Sequence, residues 1–312
     1  MKEITFQKNI LLKDYTTYKI GGPAEYFFVA RTKKELTEAL KTAEELKLPA
    51  FILGGGSNIL VSDKGRRGLV VKLEICDFVP CQDGVQSGAG VPLSKLVSYA
   101  TENGFTGLEW AAGVPGTLGG AIYGHAQAFG SKISDVIKSV EVLDKKTLEI
   151  KRLSKKQCNF SLKDSAFKKN KNLIIISAVL EFEKAGKEEI KEKIDKFLAY
   201  RKSGHPLSSP SAGSVFVNPE TKITDEKLLE KYPALKEFNK RGVIPSGYLI
   251  EEAGLTGKTI GNAQISKIHA NFIINLGDAK AQDVMALIEL AQKEVKKTFG
   301  IELKPEVQFV GF

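Results

Sequence analysis

The chain has 312 residues, of which 42% are hydrophobic and 27% are charged, and its formal net charge at pH 7 is +9. This length and composition indicate a globular protein of two or three domains with ample material for buried cores. The polar N-terminal segment 1–19 has no apolar signal core, and no stretch approaches the roughly 20 apolar residues of a membrane helix. We therefore predict a cytoplasmic protein that is neither exported nor bound to a membrane.

The few cysteines and histidines argue against a disulfide framework and a metal site. The three cysteines are odd in number and form no C-x-x-C pair: Cys76, Cys81 and Cys158. The three histidines lie far apart, without the spacing of helical metal ligands: His125, His205 and His269. We expect free thiols in a reducing compartment and no bound metal.

The positive net charge fits a nucleic acid, an anionic metabolite or mere solubility. Much of it lies in the lysine-rich segment 187–202, where it alternates with glutamates, and in the loop "KKNKN" at 168–172. No aromatic residues are interleaved with these lysines, as they would be on a platform for single-stranded nucleic acid. We predict solvated faces, with steering of an acidic substrate as an alternative, and no nucleic-acid partner.

The N-terminal part alternates strands and helices. "EYFFVA" (25–30) predicts a strand, and Thr32 with Glu35 forms a capping-box pattern that opens a helix to about Lys47. Further strands are predicted in "LPAFILGGG" and "GLVVKL" (68–73), which completes a strand–helix–strand unit. Pro92 and Gly104 then bracket a second helix.

The remaining chain mixes strands and helices without a regular repeat. A glycine-dense segment, 111–130, precedes strands near 139–153 and 172–183, and a charged helix over 187–202 leads into a separate C-terminal unit. That unit contains "SAGSVFVNP" (211–219), a helix after Pro245, a strand at 271–275, a helix at 279–299 and a final strand in "EVQFVGF". The pattern predicts an α+β protein of two or more subdomains.

Two glycine-rich loops indicate a phosphorylated ligand. "GGGSN" (54–58) lies between apolar strands, and "GVPGTLGGA" (113–121) is the second loop. Amides of successive glycines can point into a concavity that holds an anion, and Ser57, Asn58 and Thr117 add side-chain donors, so two such loops suit a diphosphate. Neither loop is a Walker A or a G-x-G-x-x-G motif, which disfavours a nicotinamide Rossmann domain. Simple tight turns remain the alternative.

Seven motifs occur in order from about Thr16 to Phe312: "TTYKIGGPAEYF", "LGGGSNILV", "AGVPGTLGGA", "PSAGSVFVNP", "LIEEAGLTGKTIGNAQIS", "HANFIIN" and "FGIELKPEVQFVG". Together they resemble one enzyme family, UDP-N-acetylenolpyruvoylglucosamine reductase. The chain lacks the tyrosine-bearing insertion before the SAGS motif, so it resembles the shorter branch of the family.

The resemblance implies a fold and a cofactor. The fold would be α+β, with a vanillyl-alcohol-oxidase-type FAD-binding fold of two subdomains, 1–75 and 76–202, and a C-terminal substrate-binding domain, 203–312. NADPH would be the hydride donor. The residues implied to cradle the diphosphate and flank the flavin of FAD are Gly54, Gly55, Gly56, Ser57, Asn58, Gly113, Pro115, Gly116, Thr117, Gly120 and Ala121.

The resemblance also implies a reaction, in which the enolpyruvyl ether of UDP-N-acetylglucosamine enolpyruvate is reduced to UDP-N-acetylmuramate for peptidoglycan precursor synthesis. Ser214 matches the proton donor and Glu306 the glutamate at the enolate. A carboxyl group assists there only if it is protonated or donates through a partner, so we expect Glu306 to be buried. Asn218 and Arg201 are the implied substrate-binding residues, and we expect a monomer.

The chain departs from the family pattern at several positions. Lys163 in "FSLKDSAF" stands where a catalytic arginine is expected, and it keeps the positive charge but loses the planar fork. Three further departures are His125, Gln127 and His205, of which we interpret His125 as a satisfied polar residue and Gln127 as either crowding or bonding the flavin. Two alternatives stay open: a catalytically weakened paralogue that binds flavin or a UDP-sugar, and a basic nucleic-acid-binding protein.

Overall fold

The computed structural model describes residues 4–312, and residues 1–3 of the predicted first subdomain lie outside the described part. Its helices are α1 Lys33–Glu45, α2 Leu93–Glu102, α3 Leu118–Tyr123, α4 Ala166–Lys169, α5 Lys187–Gly204, α6 Glu226–Lys231, α7 Ala234–Arg241, α8 Ser246–Glu252 and α9 Ala281–Phe299. Its strands are β1 Gln7–Leu11, β2 Pro23–Ala30, β3 Ala50–Leu53, β4 Ile59–Val61, β5 Arg66–Leu73, β6 Phe78–Cys81, β7 Gly84–Gly88, β8 Phe105–Thr106, β9 Gln127–Ala128, β10 Ser131–Lys132, β11 Ile137–Asp144, β12 Ile150–Ser154, β13 Leu173–Glu181, β14 Glu183–Lys184, β15 Thr259–Ile260, β16 Ala263–Ile265, β17 Ile273–Asn275 and β18 Gln308–Val310.

The chain divides into two compact units. The first unit contains the described residues up to Ile10 together with 23–56 and 66–203, and the second contains 11–22, 57–65 and 204–312. The second unit therefore includes two N-terminal segments that no sequence pattern assigned to it. The division at 1–75, 76–202 and 203–312 stays a prediction.

A four-stranded sheet in the order β1-β2-β5-β3 begins the first unit. Strands β2 and β3 each pair in parallel with β5, and Phe27 and Phe51 both align with Val70. Helix α1 joins β2 to β3, and the predicted capping box is confirmed: Thr32 accepts from the Glu35 N–H, and the Glu35 carboxylate accepts from the Thr32 N–H. Four residues of α1 are buried, Leu36, Ala39, Leu40 and Ala43. The predicted strand–helix–strand unit is present.

A five-stranded antiparallel sheet in the order β12-β11-β13-β7-β6 completes the first unit. Its central strand, β13, is buried along most of its length, as the apolar run at 172–183 predicts. Helices α2 and α3 bury their apolar faces in the same core, in which Trp110 is the largest fully buried side chain. This core supports the second glycine loop, because that loop runs directly into α3.

The second unit has its own core around α9. Helix α9 buries seven side chains along its length, among them Val284, Leu287 and Ile288, which form one cluster with Phe216 and Ile265. Strands β15, β16 and β17 form an antiparallel sheet, and β4 pairs in parallel with β18, aligning Leu60 with Phe309. The parallel pair brings the segment after the first glycine loop beside the chain segment that follows Glu306.

Candidate active site

The two predicted anion-binding loops touch through glycines in the first unit. A Cβ atom added to Gly55 would lie 2.7 Å from the Cα of Gly116, and one added to Gly54 would lie 3.1 Å from Thr117 Oγ1. Gly113 and Gly116 have φ angles of 75° and 123°, which side-chain-bearing residues rarely adopt. The absence of side chains at these positions therefore allows a backbone-lined hollow, as an anion cradle requires.

Thr117 supplies an unsatisfied polar atom to this hollow. Its side chain is 7% exposed, and among residues 4–312 its buried Oγ1 has no hydrogen-bond partner. A buried hydroxyl without a partner is costly, and a ligand oxygen beside it would remove that cost. These residues fit the phosphate oxygens of FAD. Two neighbouring amides are already used, because Leu118 N–H and Gly119 N–H donate to the carbonyls of Val91 and Ala89.

Lys72, which the sequence reasoning missed, adds positive charge to the first glycine loop. It lies on β5 directly opposite Leu53, and its ammonium donates to the Gly54 carbonyl oxygen. Burial lowers the pKa of Lys72, while Glu74 acts in the opposite direction. The signal in the sequence is a single lysine in the otherwise apolar run "GLVVKL", a pattern typical of a charged group with a specific partner.

Arg201 in the last turn of α5 bonds the backbone just before the second glycine loop. Its Nε donates to the Ala112 carbonyl over 2.9 Å, and its Nη2 donates to the Trp110 carbonyl over 3.0 Å. A Cβ on Gly113 would lie 3.2 Å from Arg201 Cδ, so the loop packs closely on the arginine stem. Burial lowers the pKa of Arg201. The observed contacts support the loop, and the implied substrate-binding role of Arg201 stays a prediction.

The remaining residues of the second glycine loop lead the chain into α3. Ala112 and Gly113 lie in a turn, Pro115 and Gly116 follow it, and Ala121 N–H donates to the Thr117 carbonyl at the start of α3. Gly120 lies near Thr117, with an added Cβ 3.7 Å from its Oγ1. After α3, Gln127 has a buried Nε2 without a hydrogen-bond partner among the described residues, and the two alternatives for Gln127, crowding or bonding the flavin, stay predictions.

Ser214 lies in the second unit, on a segment held by its neighbours on both sides. On one side, Ser214 pairs with Phe272, and Val215 N–H donates to the Asn271 carbonyl over 2.8 Å. The Asn271 side chain, 3% exposed, accepts from Phe216 N–H and donates to the Phe216 carbonyl, both over 2.9 Å. The Asn271 side chain thus satisfies both backbone polar groups of Phe216, as a neighbouring strand would. The motif "HANFIIN" contains it, but the sequence alone assigned it no role.

Glu306 borders the same segment from the other side. Its backbone N–H donates to the Val215 carbonyl over 2.7 Å, and Phe216 pairs with Pro305. The structure therefore brings Ser214 and Glu306 together. The expectation of a buried Glu306 is wrong in this structure, where the residue is half-buried, because it is the adjoining Val307 that packs into the core.

Asn58 contacts the backbone of Glu306. Its Nδ2 donates to the Glu306 carbonyl over 3.3 Å, and its own carbonyl accepts from Gln308 N–H over 3.0 Å. The chain passes from the first unit to the second after Gly56, so Ser57 and Asn58 belong to the second unit while the three glycines belong to the first. The implied contacts of Ser57 and Asn58 with FAD stay predictions.

Asn218 is exposed and caps a helix. Its Oδ1 accepts from Ser246 N–H over 2.9 Å at the start of α8, and Ser246 Oγ donates to the Val217 carbonyl over 2.8 Å. These bonds connect the end of the Ser214 segment to α8. They use the carbonyl end of the Asn218 amide, and the implied substrate contact stays a prediction.

His269 and His205 pack around Phe272, the partner of Ser214. The ring centroids of His269 and His205 lie 5.0 Å and 5.1 Å from that of Phe272. His269 Nδ1 accepts from Asn271 N–H over 3.2 Å, and a Cβ on Gly247 would lie 3.0 Å from its Cε1. Burial lowers the pKa of His269, with the negative charge of Glu251 opposing the shift.

Lys163 belongs to the first unit and lies in a two-residue turn. Ser161 and Asp164 exchange backbone hydrogen bonds of 3.0 Å and 3.1 Å across Leu162 and Lys163. Lys163 has a φ of 53°, and its carbonyl accepts from Lys168 Nζ over 2.8 Å. The Asp164 carboxylate pairs with Lys169 over 3.1 Å. The lysine is thus carried by a defined turn.

Two family models match the chain, "FAD binding domain" at residues 24–154 and "UDP-N-acetylenolpyruvoylglucosamine reductase, C-terminal domain" at 205–310. The UDP-N-acetylenolpyruvoylglucosamine reductase of Caldicellulosiruptor bescii is 40% identical over 311 residues, which is 99% of this chain and 91% of the relative. The chain belongs to the UDP-N-acetylenolpyruvoylglucosamine reductase family.

Other members of the reductase family agree in length and structure. The relative from Caldanaerobacter subterraneus subsp. tengcongensis is 40% identical over 312 residues, 100% of this chain and 95% of its own. The crystal structure of the reductase from Thermus caldophilus has a TM-score of 0.78 at 31% identity and covers 98% of this chain and 100% of its own. The α+β fold with an FAD-binding domain is confirmed, and the predicted family is confirmed.

The two family models cover most of the predicted site. The FAD-binding model includes both glycine loops, and the C-terminal reductase model includes Ser214 and Glu306. Lys163 lies between the two matched ranges. Among residues 4–312, none of the helices combines the length and the apolar composition that a membrane span needs. Within the same described range, no cluster of three or more His, Cys, Asp or Glu side chains could hold a metal ion.

Proposed function

We propose that the protein is an FAD-dependent oxidoreductase of peptidoglycan precursor synthesis. It reduces the enolpyruvyl ether of UDP-N-acetylenolpyruvoylglucosamine to UDP-N-acetylmuramate and uses NADPH as the hydride donor. Membership of the reductase family supports this function, since the resemblance extends over the full chain rather than one domain. The glycine hollow with the unpartnered Thr117 hydroxyl supports FAD as the cofactor.

One observation carries the proposal: Glu306 is hydrogen-bonded through its backbone to the segment that carries Ser214. The bond from Glu306 N–H to the Val215 carbonyl fixes the spacing of the two residues through the backbone. An acid and an enolate-stabilising group must both reach one substrate carbon and its carboxylate, so a fixed spacing between them is what the reaction requires.

The chemistry divides between cofactor and protein. Bound FAD supplies hydride transfer from NADPH to the terminal methylene carbon of the enolpyruvyl group. The Ser214 hydroxyl gives its proton to the neighbouring carbon, which saturates the double bond and leaves the lactyl ether. The Glu306 carboxyl group, when it carries a proton, donates a hydrogen bond to the negative charge that develops toward the substrate carboxylate, and Lys163 holds that carboxylate through its ammonium.

Ser214 needs help to act as an acid. A serine hydroxyl is a weak acid at neutral pH, so it must be positioned and polarised before it can donate. The pairing with Phe272 and the clamp by Asn271 provide the positioning. The negative charge that develops on the substrate carbon during the reaction makes that carbon basic enough to take the proton.

We also propose that the enzyme acts in the cytoplasm as a monomer and does not bind nucleic acid. Its substrate carries a diphosphate and a carboxylate, which the net charge of +9 would attract without a dedicated basic platform. Size-exclusion chromatography with light scattering tests the monomer: a mass near 34.1 kDa is expected, and a mass near twice that value contradicts it.

Anaerobic stopped-flow absorbance tests the reaction. The purified protein is reduced with NADPH and then mixed with the enolpyruvyl substrate while the flavin band is followed. We expect rapid reoxidation in the wild type, a loss of about 10²- to 10⁴-fold in Ser214→Ala, and no change in Ser208→Ala, an exposed serine nearby. Flavin that reduces but is not reoxidised by substrate would favour the binding paralogue, and a protein without flavin would overturn the FAD assignment.

A further inference from the structure

The turn that carries Lys163 is held at its base by residues 123–125. Ser165 Oγ donates to the Tyr123 carbonyl over 2.7 Å, immediately after the turn. His125 lies two residues after Tyr123. Its ring contacts the start of the turn, where Nδ1 is hydrogen-bonded to the Ser161 carbonyl. Both ends of the turn are therefore attached to one three-residue segment.

The imidazole of His125 is itself fixed from three directions. His125 is 4% exposed. Its ring stacks on that of Phe160, with the ring centroids 4.8 Å apart and an interplanar angle of 26°. Its Nε2 bonds Ser134 Oγ over 2.8 Å. Because a carbonyl oxygen can only accept, Nδ1 carries the proton in the bond to Ser161, and Nε2 of the neutral ring accepts from the Ser134 hydroxyl. A neutral imidazole thus satisfies both contacts. The prediction that His125 is a satisfied polar residue is confirmed.

We propose that His125 is a positioning residue that holds the Leu162–Lys163 turn and so presents the Lys163 ammonium to the substrate carboxylate. This inference rests on the proposed carboxylate-binding role of Lys163. His125 contacts neither substrate nor cofactor in this assignment; it acts through the backbone of Ser161, one residue before the turn.

A lysine needs such support more than an arginine would. The ammonium is a point charge on a flexible stem, so its alignment on a carboxylate depends strongly on where the backbone places that stem. A guanidinium aligns itself through two parallel hydrogen bonds to a carboxylate. A turn that can shift therefore disturbs a lysine contact more than an arginine contact. The hydrogen bond from His125 to Ser161 and the stacking of His125 on Phe160, together called the grip here, hold the backbone of the turn that carries the flexible lysine side chain.

His125→Asn removes the grip with little risk to the fold. His125 has a φ of 47°, and asparagine is among the residues that best tolerate this conformation, while its amide is too short to replace both ring contacts. We expect the KM for the enolpyruvyl substrate to rise about tenfold, as for a displaced positioning group. The rate of flavin reduction by NADPH and the FAD content should stay within about twofold, because the substitution leaves the glycine loops untouched.

Hydrogen exchange measures the positioning directly. The amides of Ser161 and Asp164 donate across the turn, and we expect both to exchange about tenfold faster in His125→Asn. Ser134→Ala is the matched variant: it removes the Nε2 partner but keeps the Nδ1 bond to Ser161, so turn exchange should remain near the wild-type rate. Unchanged exchange in His125→Asn would overturn the proposal.

A double-mutant cycle with Lys163→Arg tests the coupling. We expect the effect of His125→Asn on KM to shrink to about threefold or less in the Lys163→Arg background, because the guanidinium aligns itself. Equal effects in both backgrounds would overturn the inference. If His125→Asn does not fold, Phe160→Leu removes the ring that stacks on His125 and should give the same KM rise.

Lys163→Ala separates this inference from the function on which it rests. If its KM equals that of the wild type and of Lys171→Ala, an exposed lysine in the same segment, then Lys163 does not bind substrate and the proposed role itself fails. If Lys163→Ala raises KM while His125→Asn leaves it unchanged, only the positioning by His125 is wrong.

Discussion

The backbone N–H of Glu306 donates to the carbonyl oxygen of Val215 over 2.7 Å, which ties Glu306 to the residue that follows Ser214. On the opposite side, the buried amide of Asn271 bonds both backbone groups of Phe216. The two catalytic candidates are therefore spaced by main-chain contacts. Replacing either side chain should change the chemistry and leave this frame in place.

Glu306→Gln should slow substrate-dependent reoxidation of the flavin by about 10²- to 10³-fold, as expected when one group that stabilises developing charge is removed. The amide keeps the shape of the side chain, and the Glu306 N–H bond to Val215 does not depend on it. FAD content and the midpoint of thermal unfolding should match the wild type. The exposed Glu302→Gln is the control and should reoxidise normally. Normal reoxidation in Glu306→Gln would contradict the assigned role.

Gly55→Ala should weaken FAD binding, because its Cβ would lie 2.7 Å from Gly116 Cα and 3.2 Å from Thr117 N. Relieving that overlap requires the two glycine loops to separate, at a cost of about 1–3 kcal/mol. The dissociation constant of FAD, measured by fluorescence quenching on the apoprotein, should rise by about 10- to 100-fold. Gly186→Ala, where an added Cβ meets nothing within 4 Å, is the control. Equal FAD affinities in the two variants would remove Gly55 from the cofactor site.

Arg201→Lys separates the observed contacts of Arg201 from its implied role. A lysine cannot reproduce the fork that bonds the carbonyls of Trp110 and Ala112, so the approach to the second glycine loop should loosen. We expect FAD affinity to fall about tenfold, the effect of losing one hydrogen bond from a charged donor, while the substrate KM stays within about twofold. The exposed neighbour Lys202→Ala should change neither value. A raised KM with normal FAD affinity would favour direct substrate binding.

Local patterns in the sequence predicted the elements well. Each of these patterns depends on residues close together in the sequence. Examples are the capping box of Thr32 and Glu35, the apolar strand β13 and the helix after Pro245. The helices α6 and α7 were missed although their signals are present. Asp225 caps α6 through the N–H groups of Lys227 and Leu228, and α7 ends at Gly242 with a φ of 71°.

Long-range partners could not be predicted in the same way. Asn58 bonds Glu306, 248 positions away, and Arg201 bonds Ala112, 89 positions away. A side chain with several donors can serve a ligand or a backbone carbonyl, and only the fold decides which partner comes within reach. Lys72 illustrates the same limit, because nothing in "GLVVKL" specifies that its ammonium meets the Gly54 carbonyl.

His269 should make the protein less stable in mild acid. Burial lowers its pKa in the folded protein from the ordinary value of 6.5, so the unfolded chain binds a proton more readily as the pH falls. Stability is thus fully present above pH 6.5 and declines below it, with a slope of at most about 1.4 kcal/mol per pH unit for one proton. Urea unfolding between pH 7.5 and pH 5 should show a steeper decline in the wild type than in His269→Gln. Parallel curves would contradict the prediction.

The parallel pairing of β4 with β18 has a consequence for how the chain is made. Strand β4 leaves the ribosome early, yet its partner follows after more than two thirds of the chain has been synthesised. Contacts of such long sequence separation form late, since a large loop must close before any pairing compensates for the lost chain entropy. During synthesis Ile59, Leu60 and Val61 therefore remain an unpaired apolar edge. This short segment is an apolar surface that a chaperone would cover until β18 has been made.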